Sequence, residues 1–70
     1  MLSKDEIEVI RGVSMGWSDS EMASRFGWSE ERVAHCVDQA LDKLNLSSRI
    51  ELAFYACTEE GRTVLQRSVA

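Results

Sequence analysis

Residues 18–44, SDSEMASRFGWSEERVAHCVDQALDKL, decide how this chain folds. Ser18-Asp19-Ser20-Glu21 has the S-x-x-E form of a capping box, in which the serine oxygen and the glutamate three residues on satisfy each other's backbone donors. Two helical turns carrying Met22, Ala23 and Phe26 follow, and Gly27 stands where a left-handed residue ends a helix. Ser29 is then a natural N-cap, with Glu30 and Glu31 in the first turn, where negative charge suits the helix dipole. The next helix is expected over about Glu30–Leu44. Its residues Val33, Val37, Ala40, Leu41 and Leu44 fall at i, i+4, i+7, i+8 and i+11, a single amphipathic stripe. A short helix, a tight turn and a longer helix with one buried stripe read as a helix-turn-helix. That geometry holds the second helix out from the body, where its exposed face can enter a major groove.

Working outward, Ser3-Lys4-Asp5-Glu6 repeats the capping form and predicts a first helix from about Lys4, with Ile7, Val9, Ile10 and Val13 at helical spacing and Gly16 at its end. Ser48-Arg49-Ile50-Glu51 starts a fourth helix, predicted to run to about Glu60 and to stop at Gly61. Ile50, Leu52, Ala53, Phe54, Tyr55, Ala56 and Cys57 surround that helix at too many angles for one core-facing stripe. Part of it is left for a covering surface, either a second copy of the chain or the tail 62–70 folded back. Thr63-Val64-Leu65-Gln66 also has a capping form, but so few residues follow that an independent helix there is marginal. The expected organisation is one domain over residues 1–61 with a tail over 62–70, all-α, with four helices.

Composition narrows the function. A chain of 70 residues buries only about 60% of the surface its unfolded form exposes, which leaves one thin core and no deep substrate cleft. It has no glycine-rich phosphate loop and no second histidine for a base network, and capping explains its Ser-x-x-Glu patterns, so an enzyme is not expected. Nor is a cofactor or a metal. Two cysteines and the lone His35 fall short of the roughly four ligands a zinc ion takes, and Cys36 and Cys57 read as reduced core thiols. The longest apolar run, Leu52–Cys57, is far below the roughly 20 residues that cross a bilayer, and the charged N-terminus does not resemble a secretory signal. No membrane association is expected, and the cytoplasm is the expected compartment. Eight Lys and Arg stand against twelve Asp and Glu, a net charge of −4, which argues against a uniformly basic nucleic-acid surface.

Leu2-Ser3, Glu6, Glu8-Val9-Ile10, Gly16, Ser18, Glu21, Ala23, Gly27, Ser29, Val33, Lys43-Leu44 and Ser48-Arg49 together resemble the recurring framework of the LuxR/GerE-type DNA-binding domain, over nearly all of residues 2–56. The resemblance implies a four-helix domain whose third helix reads DNA and whose fourth mediates dimerisation, in a bacterial transcription factor. The family usually carries a receiver or ligand-sensing domain ahead of this one. None lies within these 70 residues, which reads as a standalone member or an excised domain.

The departures from that pattern fall on the reading helix. Where the family has Thr-Val-Lys-x-His at its start, this chain has Arg32, Val33, Ala34, His35 and Cys36, with the lysine replaced by Ala34. At about 100° per residue, the face opposite the stripe is centred on Glu31, His35, Asp38 and Asp42, flanked by Arg32 and Gln39. Four acids face two bases between Glu30 and Leu44, and an acidic ridge is repelled by phosphates. Individual contacts to double-stranded DNA are still chemically available: Arg32 to guanine or phosphate, Gln39 to adenine, His35 to a base edge, Asp38 from cytosine N4. Arg49 could anchor a phosphate or bond to the protein body. The expected DNA face is therefore Arg32, Ala34, His35, Asp38, Gln39 and Arg49. The expected self-association face, giving a homodimer, is Leu52, Phe54, Tyr55 and Ala56. The same residues support a second expectation, a module that docks on a protein partner through its acidic third helix or its apolar fourth helix. Trp28 is expected to plug the turn, and Trp17 to pack or to serve as an exposed contact.

Overall fold

A computed structural model describes residues 2–67, and all regular structure among them is helical: α1 Lys4–Ser14, α2 Asp19–Phe26, α3 Glu30–Leu44, α4 Arg49–Cys57 and α5 Glu59–Arg67. The caps explain most boundaries. Ser3 and Ser18 each close a full capping box, with Glu6 and Glu21 returning a carboxylate to the serine N–H at 2.7 and 3.1 Å. Gly27 ends α2 at φ 74°, a left-handed conformation that costs glycine nothing, and Asn45 ends α3 in the same region at φ 58°. Ser29 Oγ accepts the Arg32 N–H at 3.1 Å and starts α3 where its sequence predicts. At α4 the box is shifted by one residue: Ser48 Oγ accepts from Glu51 N, but the Glu51 carboxylate accepts from Ser47 N.

The core sits where α1 packs against α3 and α4, with α2 resting on α3. Ile10, Val9, Met22, Val33, Ala40 and Leu52 have no exposed surface. Each large aliphatic side chain among them contributes about 1.5–3 kcal/mol through removal from water. The stripe read in α3 is buried at Val33, Val37 and Ala40, joined by Cys36, while Leu41 and Leu44 are half-buried at its margin.

Among the described residues, one charged side chain enters this core. Glu6 is 2% exposed, and its Oε1 accepts from the Ser3 N–H and from Lys43 Nζ at 2.9 Å, tying α1 to α3. Burial pushes the Glu6 carboxyl up, but the Lys43 ammonium and the Ser3 donors outweigh it together and hold it below its ordinary value.

The C-terminal third departs from expectation. The fourth helix stops at Cys57, not near Glu60, and a fifth helix starts at Glu59. Thr58 makes both boundaries. Its N–H and hydroxyl donate to the Tyr55 carbonyl at 3.0 and 2.6 Å, and its Oγ1 accepts the Gly61 N–H at 3.0 Å. Gly61 is thus inside α5 and is no terminator. It is buried against the end of α4, and a Cβ there would overlap the Tyr55 carbonyl oxygen and crowd the Ala56 Cα, so only glycine lets α5 turn back this closely. Thr63 also lies within α5, its hydroxyl donating to the Glu59 carbonyl, rather than capping a helix of its own. α5 packs on α4 and reaches α1, where Arg11 Nη2 donates to the Leu65 carbonyl at 2.7 Å. A marginal helix is held by tertiary contact. Residues 68–70 of the expected tail lie outside the described residues.

Candidate nucleic-acid interface

α3 has two unlike sides because its apolar residues recur with the helical period and its charges fill the gaps. Val33, Cys36, Val37 and Ala40 face α1 and α2, while Glu31, Arg32, His35, Asp38, Gln39 and Asp42 are exposed and Ala34 is half-buried. Burial pushes the Cys36 thiol up, with Asp5 adding to the effect, so it stays a neutral core group. Five of the six residues assigned to DNA thus share one stretch of α3, residues 32–39. The side chains of His35, Asp38 and Gln39 enter no hydrogen bond or ion pair among the described residues.

The two arginines are different. Arg32 Nη2 donates to Asp5 Oδ2 of α1 at 2.9 Å, and its guanidinium lies over the Trp28 ring at 4.0 Å, a cation–π contact. Trp28 is half-buried and packs on Phe26 at 4.9 Å between ring centres, so it plugs the turn on one side and supports Arg32 on the other. Arg49, at the start of α4, pairs with Asp19 in the first turn of α2 and reaches the Trp17 carbonyl. It bridges two helices. Trp17 is half-buried against Phe26 with Arg25 stacked on it at 4.1 Å, a packed residue and not a free contact.

The expected self-association face divides. Leu52 and Ala56 are in the core and unavailable to a second chain, because α1 and α3 cover that side of α4. Phe54 is 68% exposed and Tyr55 is half-buried, its hydroxyl pushed up by burial and by Glu60. Ile50, one turn before Phe54 and 69% exposed, belongs to this surface and was not assigned to it from sequence. Its place four residues ahead of Phe54 was the available signal. Cys57 lies exposed beside them, not in the core as expected, because α4 ends there and presents it to solvent.

Among the described residues no group of three or more His, Cys, Asp and Glu side chains could hold a metal ion, and no helix is long and apolar enough to cross a membrane. The chain matches no protein-family model, no curated protein and no solved structure.

Proposed function

We propose that this chain is a transcription regulator of the LuxR/GerE type that binds double-stranded DNA as a dimer, with α2 and α3 as its helix-turn-helix and α3 in the major groove. One observation carries the reading: α3 buries one side against α1 and α2 and leaves His35, Asp38 and Gln39 exposed and unengaged on the other, with Ala34 half-buried beside them. Such a helix, following a three-residue turn from a short helix, is what groove entry requires. Gln39 would pair with adenine N6 and N7, His35 would donate to a base edge, and Asp38 would accept from cytosine N4, each good bidentate pair discriminating by about 1–3 kcal/mol. Phosphate anchoring falls to backbone amides at the starts of α2 and α3 and to Arg32. The exposed Ile50 and Phe54 supply an apolar surface for the second copy.

A second reading is favoured by the charge of the same face. Glu31, Asp38 and Asp42 are exposed on it, its Arg32 is held by Asp5, and Arg49 at the start of α4 is held by Asp19. This surface also suits a basic protein partner. Selection of fragmented bacterial genomic DNA by the native protein, at low and moderate salt, tests the first reading. Recovery of a symmetric motif supports it. Retention only by the Ala34→Lys, Asp38→Lys variant defeats it and directs the search to protein partners.

A further inference from the structure

We infer that Asp5 is a built-in mask on Arg32, an autoinhibitory contact that lowers the affinity of the α3 face for phosphate. The inference rests on the DNA reading above and adds a regulatory element to it. Arg32 and Lys43 are the two bases of α3, and both side chains are partly exposed. Lys43, the other base of that helix, is committed to Glu6. Arg32 is held from two sides, by the Asp5 carboxylate at 2.9 Å and by the face of Trp28 at 4.0 Å. A guanidinium so placed is pre-oriented at the entrance of the reading helix, yet its charge is already answered by a carboxylate.

The contact is weak enough to open. Both partners are close to half exposed, 49% for the Arg32 side chain and 45% for Asp5, and exposed pairs are screened and contribute little to stability. A DNA phosphate, which accepts two guanidinium hydrogen bonds and releases condensed counterions when a cation binds it, competes with such a carboxylate directly. Trp28 stays as the platform in either state, so Arg32 changes partner without losing its position. Asp5 lies on α1, outside the helix-turn-helix, and is not among the residues assigned to reading. Anything that draws the Asp5 carboxylate away from Arg32 would therefore raise DNA affinity without altering a residue of α3.

The test is a double-mutant cycle in DNA affinity. Asp5→Asn, Arg32→Ala and the double variant are titrated against a labelled mixed-sequence duplex at several salt concentrations, in the native chain and in the Ala34→Lys, Asp38→Lys background. Asp5→Asn is expected to tighten binding about two- to fivefold, the range an exposed pair supplies, and to steepen the salt dependence by about one counterion. In the Arg32→Ala background it is expected to change nothing. Equal tightening with and without Arg32 would show Asp5 acting only as a nearby negative charge, and would overturn the mask while leaving the DNA reading intact. Absence of binding in both backgrounds would overturn the DNA reading and the mask with it.

Discussion

α3 and α4 are neighbouring helices that obey different rules. In α3, polar and apolar residues alternate with the helical period, and the structure buries the side that the pattern marks: Val33, Val37 and Ala40 inward, His35 and Asp38 outward. In α4, every residue from Leu52 to Cys57 is apolar or aromatic, and the pattern marks no side. Its orientation is set by what it packs against. α1 and α3 take Leu52 and Ala56, and Ile50 and Phe54 are left in water. A periodic sequence chooses its own buried face, whereas a uniformly apolar one has it chosen by its neighbours.

Leu52→Ala strikes the side of α4 that packing selected, and is expected to cost about 2–5 kcal/mol of stability by leaving a cavity between α1 and α3. Denaturant unfolding followed by circular dichroism measures it. A loss under 1 kcal/mol would mean that α4 is not anchored as described.

Gly61→Ala probes why α4 ends where it does. The added methyl meets the Tyr55 carbonyl, which is backbone and cannot rotate away, so about 1–3 kcal/mol should be lost as α5 lifts from α4. Amide exchange should show the loosening in residues 59–67 before it reaches α3.

On the α3 side, Lys43→Met withdraws the cation from buried Glu6 and is expected to destabilise the fold by about 1–3 kcal/mol at neutral pH. The pH dependence carries a definite sign. The Glu6 carboxyl is held below its ordinary value near 4.5 in the folded protein, so its contribution is present above that pH and is lost as pH falls through the lower folded value. The stability gap between native and Lys43→Met protein should therefore narrow on acidification from pH 6 to pH 3 in matched unfolding curves. A constant gap would place the effect of Lys43 in packing alone.

The smallest expected change in stability comes from Phe54→Ser, within about 0.5 kcal/mol, because that side chain already faces solvent. Its effect belongs to the proposed dimer. Sedimentation should show weaker self-association for Phe54→Ser than for native protein, and a native chain that remains monomeric with and without DNA would remove the dimer. Together with Leu52→Ala this separates the two sides of one helix by two different measurements.

How much could be read in advance follows the same division. The serine caps at positions 3, 18, 29 and 48 and the left-handed residue Gly27 act within four residues of themselves, and the starts of four helices follow from them. The exposed stretch of α3 was legible for the same reason, since periodicity is a local property. Arg32 and Arg49 were identified as candidate cations, but their carboxylate partners lie 27 and 30 positions away, on other helices. No spacing rule reports such pairs. Gly61 is misread as a terminator because glycine after an apolar run ordinarily signals a helix end, and only the close approach of α5 to Tyr55 shows the second use of glycine.

By itself, then, the sequence determined an all-helical chain, the beginnings of its first four helices and the face that α3 turns to solvent. These depend on hydrogen bonds within a turn and on a 3.6-residue period, both written in consecutive residues. Packing in three dimensions settles which side of α4 is core, that residues 59–67 form a helix, and that Glu6, Arg32 and Arg49 are answered by charges from other helices. Those outcomes depend on distances through space between residues far apart in the chain, and a helix with no polar side, or a cation with several carboxylates within reach, acquires its partner only when the helices pack.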